Sequence, residues 1–599
     1  MGSRAVSYEK YTGDDEDQRA KVTHAMELFA QVRNKRSNFE PMWEESAAIV
    51  WPEYRNSFAY GNMRTPGMKL TEFQLDSRGA IALHRFMALC DFLMTPFAMP
   101  WSPIRADDDD LMKDRSVALW YEHVSNVLWR ERYRAEANFT GAQQINWQSL
   151  GAFGNQNMII DELDTNPGDF RPGLRYVPCS PGEIYLLTNH QGRVDGFIRY
   201  FRWTARQACQ RWKDDVPEAI KRAEEQKSQE RFDFIQVVMP RSDYDHGAVL
   251  ANRGKPYSSC YISIAGAKVL EEGGYRRFPL ANGRYTVAPE EDYGRGPVQQ
   301  VLPALKTRNA EKGMFLKQGH RAGDPAYLLP GDDSLFDFKS NPGSYNYGGV
   351  TEEGKPLVHI LPHGDIQITQ EMMQEEAIAI DDALLVSLYA EIFDVTKRGR
   401  AQTGPQLMQT LADRMMFLAP TIGRQFEHLA AVVDRELDVL TYQRKFRPMP
   451  PALKEAKGQY TTVTRWASPL GRAAKAAGTL GFMRTVAMAN ESVKAGADPA
   501  IMDIFDFETA YPEIADDNFV PASWMASRQQ IAAKARGRRQ AQQESNRVKS
   551  LPGEAAIMKA KAISDKAGAG QNIGGVLSGT AEGGMPMMPG QSSPGGRAF

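Results

Sequence analysis

Two stretches of opposite charge decide the fold of this chain: residues 305–321, LKTRNAEKGMFLKQGHR, and residues 365–394, DIQITQEMMQEEAIAIDDALLVSLYAEIFD. Both are predicted to be helices, the first basic and the second acidic. The basic residues proposed for contacts between copies are Lys306, Arg308, Lys312 and Lys317. The acidic residues proposed to line a channel are Glu371, Glu375, Glu376, Asp381 and Asp382. Helices of opposite charge that run back on each other can pair within one chain or between neighbouring copies.

A turn-rich insert separates the two helices, and a basic loop follows the second one. The insert, residues 324–364, has two apolar runs that can pair as strands, 327–329 and 357–361. Its candidate site residues are Asp332, Asp333, Tyr345 and Tyr347. The candidate site residues of the basic loop, 395–403, are Lys397, Arg398 and Arg400. A ring of such hairpins would make a tube with a charged lining, a structural part rather than a catalytic pocket.

Before the hairpin the sequence predicts a mixed α/β region. Residues 1–18 are polar and predicted to be disordered. Amphipathic spacing predicts helices over 19–50, 75–97, 115–139, 142–153, 204–212 and 217–229. Short alternating runs bounded by Gly, Pro and Asn predict strands at 158–161, 174–178, 184–188, 194–203, 232–239, 257–264, 267–271 and 285–288.

After the hairpin the chain is predicted to be helical and then disordered. A long helix with one apolar stripe begins at Pro405 and extends to residue 440, with a kink at Pro420. Further helical segments are predicted at 473–497, 498–515 and 523–547. From residue 551 the Gly-, Ala-, Met- and Pro-rich composition predicts disorder. The fold class that follows is α+β, mainly helical.

Composition limits the classes of protein that this chain can belong to. The 599 residues carry a formal charge of −2, so any contact with nucleic acid must come from local clusters of charge. Four widely spaced cysteines form no CxxC pair, which argues against a zinc site or a disulfide framework and suits a reducing cytosol. No signal peptide and no membrane-spanning segment are expected.

Chemistry-bearing motifs point away from an enzyme. The sequence contains no GxxxxGK[ST] phosphate loop, no GxSxG elbow and no HExxH pair. The aspartate run 107–110 is interpreted as a polar loop or a helix N-terminus, because consecutive carboxylates cannot converge on one ion without a turn. We therefore expect no catalytic residues, no metal and no cofactor.

Several short stretches, in order, resemble the head-to-tail connector, or portal, proteins of short-tailed bacteriophages. The match covers about residues 40–540, and none of the stretches is a catalytic signature. They are Leu83-His84-Arg85-Phe86, the segment from Met94-Thr95-Pro96 to Trp101, Tyr293-Gly294-Arg295-Gly296-Pro297, Asn341-Pro342-Gly343, Arg398–Thr403 and Ala467-Ser468-Pro469-Leu470-Gly471-Arg472.

The resemblance implies a portal-type protomer that assembles as a ring, typically of about twelve copies. Its parts would be an α/β wing, a helical-hairpin stem, a small α/β clip, a basic tunnel loop and a helical crown. The resemblance makes the candidate residues of the insert docking residues of the clip, and the candidate residues of the basic loop DNA contacts of the tunnel loop. The implied ranges are 19–298 and 404–466 for the wing, 299–323 and 365–394 for the stem, 324–364 for the clip, 395–403 for the tunnel loop and 467–549 for the crown. Residues 550–599 match no part of this plan.

The function implied is a channel at one capsid vertex through which the genome is packaged and ejected. Implied partners are further copies of the chain, double-stranded DNA without sequence readout, the terminase packaging motor, a tail adaptor, and capsid and scaffold proteins, with no membrane. The protein would be made in the host cytoplasm and end in the virion. Two alternatives stay open: a nucleic-acid-processing enzyme that uses 324–364 as a lid, and a minor capsid or scaffold protein without a channel.

Overall fold

A computed structural model of the chain gives the α+β, mainly helical fold that the sequence predicts. The structure describes residues 15–61, 67–163, 172–248, 251–329, 338–361, 366–393, 422–456, 461–496, 498–526, 530–543 and 558–559. The chain divides into two compact units, Met1–Trp524 and Met525–Phe599.

Six helices open the first unit, with breaks that the sequence analysis missed. They are α1 (Asp15–Arg36), α2 (Glu40–Val50), α3 (Arg78–Met94), α4 (Asp109–Met112), α5 (Arg115–Arg132) and α6 (Phe139–Phe153). The single helix predicted over 19–50 is wrong, because the chain turns at 37–39 and restarts with Pro41 in the first turn of α2, where its missing N–H costs nothing. The helix predicted over 115–139 also ends early, since Asn138 takes a left-handed conformation before α6.

The described residues form four antiparallel sheets. The strands are β1 (Ile104–Ala106), β2 (Asn155–Glu162), β3 (Leu174–Pro178), β4 (Ile184–Thr188), β5 (Val194–Thr204), β6 (Arg231–Pro240), β7 (Tyr257–Ser263), β8 (Lys268–Tyr275), β9 (Leu280–Arg284), β10 (Tyr327–Leu328), β11 (His359–Ile360) and β12 (Thr462–Thr464). The sheet orders are β4-β5-β6-β7-β8, β3-β2-β9, β1-β12 and β10-β11. Helices α7 (Ala205–Trp212) and α8 (Glu218–Glu225) follow β5. The strand predicted at 285–288 is misplaced, because β2 pairs with the weakly alternating segment Leu280–Arg284 instead.

The main hydrophobic core joins α2, α3, α5 and α6 to the β3-β2-β9 sheet and to the helices that follow it in sequence. A close crossing of two backbones positions the hairpin on this core. Gly294 and Gly296 pass the end of α6 so tightly that a Cβ on Gly296 would lie 2.7 Å from the carbonyl oxygens of Leu150 and Gly151. Only glycine fits at such an approach, and the stretch Gly294–Pro297 therefore fixes where the next helix begins.

The hairpin begins with the short helix α9 (Pro297–Gln300) and continues as α10 (Leu302–Gly323). Its second arm is not the single helix predicted over 365–394: it consists of α11 (Ile366–Ala383) and α12 (Val386–Phe393). The break falls at Leu385, whose φ of 56° is left-handed and incompatible with a continuous α-helix. The first part of the predicted long helix, residues 405–421 with the Pro420 kink, lies outside the described residues.

The described helices that follow are α13 (Phe426–Tyr442), α14 (Pro451–Glu455), α15 (Pro469–Lys494) and α16 (Phe507–Asp517). Helix α15 confirms the predicted alanine-rich helix, and Ser468 caps its N-terminus by accepting a hydrogen bond from the Gly471 N–H. In the second unit, residues 530–543 form helix α17, within the helix predicted over 523–547.

Candidate functional site

The two oppositely charged helices lie side by side, as the sequence predicts. Helix α10 packs on α11 along its length. At one end the ribbon β10-β11 joins them, and at the other α11 contacts α9, so the two helices run antiparallel. Leu302, Leu305 and Ile380 join the hairpin to the main hydrophobic core, and Met373 and Ala377 of α11 are buried as well.

The basic residues of α10 divide into two sets. Lys306 pairs with Glu45 of α2 at 2.5 Å, and Arg308 pairs with Asp76 at 2.6 Å. Arg308 also donates to the main-chain carbonyl of Met373 on α11. These two cations therefore attach the hairpin to other segments of the same chain, and their role in a contact between copies stays a prediction.

Lys312 and Lys317 differ from this first set. The Lys312 ammonium lies 5.1 Å from the centre of the Phe315 ring one turn away, and Lys317 is exposed. Exposed Met314, at 60% of its full accessibility, lies three residues before Lys317 on the same side of α10, whereas Lys312 is half-buried. The outer face of α10 thus combines positive charge with apolar surface.

The acidic residues of α11 divide in the same way. Asp381 forms an ion pair with Arg78 of α3, and Glu376 is half-buried on the side of α10. Glu371, Glu375 and Asp382 are exposed. Their spacing of four and seven residues places these three on one stripe of the helix, together with exposed Ile378. This acidic stripe is the part of α11 that faces away from its own protomer.

The described part of the insert, residues 324–329 and 338–361, is held by local hydrogen bonds. Its two predicted apolar runs pair as β10 and β11, in the register Tyr327 with Ile360 and Leu328 with His359. The tip is held by Asn346, whose side chain accepts from the Lys339 N–H at 2.7 Å and donates to the Lys339 carbonyl at 2.9 Å. Gly343 and Gly348 take left-handed conformations at the corners of the tip.

This inward-pointing asparagine leaves its two neighbours on the surface. Tyr345 is 84% exposed and Tyr347 is 90% exposed. Neither tyrosine side chain therefore packs inside the small sheet of the insert in the single protomer. Asp332 and Asp333, the other candidate docking residues, lie outside the described residues, and so do Lys397, Arg398 and Arg400 of the basic loop.

The described residues offer no group of three or more His, Cys, Asp or Glu side chains that could hold a metal ion. The aspartate run is a helix start, as predicted: Asp108 caps α4 by accepting from the Asp110 and Leu111 N–H groups. Cys90 and Cys179 are free and buried, and burial raises the pKa of the Cys179 thiol to about 12. Within the described helices none is long and apolar enough to cross a membrane.

Sequence reasoning missed the buried charges that lock the wing together. Arg132 makes a bidentate contact with Glu436, at 2.9 and 2.6 Å, and Tyr176 donates to the same carboxylate at 2.5 Å. Burial first, and then the Glu436 charge, raise the pKa of Tyr176 well above its usual range. No local signal predicts this triad, because Arg132 and Glu436 are 304 residues apart.

Comparison with known proteins identifies the family of this chain. Residues 22–526 match the family described as bacteriophage head to tail connecting protein, and the chain belongs to that family of virion structural proteins. The portal protein of Salmonella phage epsilon15 is 24% identical over 554 residues, which cover 90% of this chain and 95% of that protein. A chain from the virion of a native gene transfer agent particle aligns at 12% identity over 61% of this chain and 83% of its own length, with a TM-score of 0.29.

Proposed function

We propose that copies of this chain form a ring at one vertex of a phage head, with the genome passing through its centre. The observation that carries the proposal is the division of charge over the hairpin. Each protomer presents a basic and apolar outer face on α10 and an acidic and apolar stripe on α11. Two different complementary faces make a head-to-tail contact between copies, which closes into a ring when the rotation allows.

The acidic stripe would also serve the channel. A ring multiplies Glu371, Glu375 and Asp382 into bands of negative charge, which repel the phosphate backbone and let DNA slide without sticking. Lys397, Arg398 and Arg400 would touch phosphates transiently, which gives no sequence readout because phosphates carry no sequence information. The protein would then act as a structural conduit, and the packaging motor would supply the energy.

The insert would be the docking platform. Two exposed tyrosines on a locked tip offer large, fairly rigid contact area, and tyrosine is enriched at interface hot spots. Their proposed partners are the terminase motor during packaging and a tail adaptor afterwards, with capsid and scaffold proteins against the wing. We assign the wing, stem, clip, tunnel loop and crown to the ranges that the family resemblance implies, with synthesis in the host cytoplasm before assembly.

Negative-stain microscopy of the purified full chain tests the proposal directly. We expect rings with a central hole, and gel filtration should give a mass many times that of the 67.0 kDa chain. Monomers that stay compact over a range of salt and protein concentration would refute the conduit. A nuclease assay on duplex DNA addresses the enzymatic alternative, and we expect no cleavage.

A further inference from the structure

Glu311 is a buried acidic residue in the otherwise basic helix α10. It is the only carboxylate in Leu302–Gly323, and it is 7% exposed in the contact with α11. Its Oε2 atom is buried and has no hydrogen-bond partner among the described residues. A buried carboxylate oxygen without a partner favours the neutral acid over the anion.

The surroundings do little to compensate the charge of Glu311. Glu376 faces it from α11 and repels the anion, while Arg308 on α10 attracts it. The Arg308 guanidinium, however, is already committed to Asp76 and to the Met373 carbonyl. On α2, the facing carboxylate Glu45 is held by Lys306, and α9 contributes no charged residue.

We propose that Glu311 is a proton-binding switch in the α10–α11 contact, which is closed while Glu311 is neutral and loosened when it ionises to release its proton to water. The inference concerns the fold of one protomer, so it stands or falls independently of the ring. Its functional consequence would be a hairpin whose stiffness responds to pH.

The direction of the pH effect follows from the environment of the carboxyl group. Burial, and then the charge of Glu376, raise the pKa of Glu311 in the folded chain, and the Arg308 charge only partly offsets them. The closed contact therefore binds the proton more tightly than the open one. Its extra stability is fully present below the ordinary Glu pKa and is lost as the pH rises through the raised pKa of the closed state.

Hydrogen exchange of the full chain, read on α10 and α11 as protection factors between mildly acidic and mildly alkaline pH, tests the switch. In the wild type we expect the opening constant to increase with pH, by about tenfold for each pH unit between the pKa values of the closed and open states. Glu311→Gln should abolish this dependence and increase protection at alkaline pH. Glu375→Gln, on the exposed side of α11, should behave as wild type.

A second variant separates the effect of burial on the pKa of Glu311 from the effect of the Glu376 charge. Glu376→Gln keeps an ionisable group at 311 but removes the facing charge, so the transition should move to lower pH. The switch is refuted if Glu311→Gln keeps the wild-type pH dependence, or if it is less protected than wild type at alkaline pH. An unmoved transition in Glu376→Gln would remove Glu376 from the switch.

Discussion

Arg132 is the residue that ties together the most distant parts of the wing. Its guanidinium bonds Glu436 of α13 and the Ser102 hydroxyl, and it lies 4.2 Å from the centre of the Trp101 ring. Tyr176 of β3 completes the set on Glu436. Helix α5, the chain before β1, β3 and α13 thus converge on one ion pair. A buried pair is a weak source of net stability, but removing one partner leaves the other charge uncompensated.

Replacing Glu436 with Ala should therefore destabilise the first unit by about 3–5 kcal/mol, because Arg132 would be left charged in the core. Urea unfolding followed by tryptophan fluorescence measures the free energy of unfolding. Exposed Glu427, on the same helix, is the matched control, and Glu427→Ala should stay within about 0.5 kcal/mol of wild type. A loss below about 1 kcal/mol for Glu436→Ala would mean that the pair is not structurally important.

Gly296 gives a second prediction at the scale of one residue. A methyl group there meets main-chain atoms of α6 that cannot move as a side chain does, so Gly296→Ala should lower stability by at least about 1–3 kcal/mol. Differential scanning calorimetry reads the shift in Tm. Gly319→Ala on α10 is the control: no atom lies within 4 Å of the new methyl group, and it should stabilise the helix by about 0.5–1 kcal/mol. Equal shifts in Tm for both variants would contradict the close approach of Gly296 to the main chain of α6.

Residue patterns predicted charge and position better than they predicted partners. The sequence located the acidic and basic residues on two helices, yet it assigned Lys306, Arg308 and Asp381 to a ring contact or a channel. Within one chain the structure pairs them with Glu45, Asp76 and Arg78, and their roles between copies or in a channel stay predictions. Periodicity shows which face of a helix is apolar, but not which distant side chain meets a given charge.

At the scale of elements, the hairpin was predictable because its two long helices differ so clearly in charge and frame a turn-rich insert. What could not be predicted were the breaks. Leu385 interrupts an apolar, helix-favouring run through its left-handed φ, and β9 is a strand only because β2 pairs with it. Both depend on tertiary contacts, which override local propensity.

The outer faces of α10 and α11 lead to a prediction for the assembly. Changing Lys312 and Lys317 together to Glu should weaken the ring, since both faces would then be negative, and the effect should be larger at low salt where repulsion is unscreened. Gel filtration at low and high salt measures the fraction in rings. The control is Lys213→Glu with Lys227→Glu, two exposed wing lysines outside the stem. Rings of unchanged abundance at low salt would contradict the stem contact.

The tip of the insert leads to a prediction for docking. The double variant Tyr345→Ala with Tyr347→Ala should still assemble into the oligomeric ring, because both tyrosine side chains are exposed in the protomer and belong to no core. Partner binding should weaken by about 2 kcal/mol or more per tyrosine if both are hot spots. Pull-down of the packaging motor and of the tail adaptor measures partner binding. The control is Tyr345→Phe with Tyr347→Phe, which keeps the aromatic contact area of both side chains. Retention of both partners by the alanine variant would remove the tip as a docking surface.

At the scale of the whole molecule, the hydrophobic core and the hairpin are stabilised by different interactions. The wing is a dense core fixed by aromatic packing and buried charge, and the hairpin is fastened to it by apolar contacts and three ion pairs. The exposed residues of α10, of α11 and of the tip that we propose to be functional lie away from that core. Substitutions on the outer stem, the tip or the basic loop should therefore change assembly, docking or DNA handling and leave folding intact.

Substitutions in the basic loop test whether DNA handling can be changed without changing folding and assembly. Replacing Lys397, Arg398 and Arg400 together with Ala removes three charges that could touch phosphate, without touching the hairpin contacts described above. We expect rings of normal size and stability, but heads that package less DNA or lose it after filling, because each lost phosphate contact weakens the hold on DNA whatever its sequence. The measurement is the DNA content of purified particles, together with the abundance of rings.

The control is the triple change to Lys397→Arg, Arg398→Lys and Arg400→Lys, which keeps every charge and should package as wild type. Full and stable genomes in the alanine variant would show that the loop does not act on DNA, and loss of the rings themselves would show instead that it is needed for assembly.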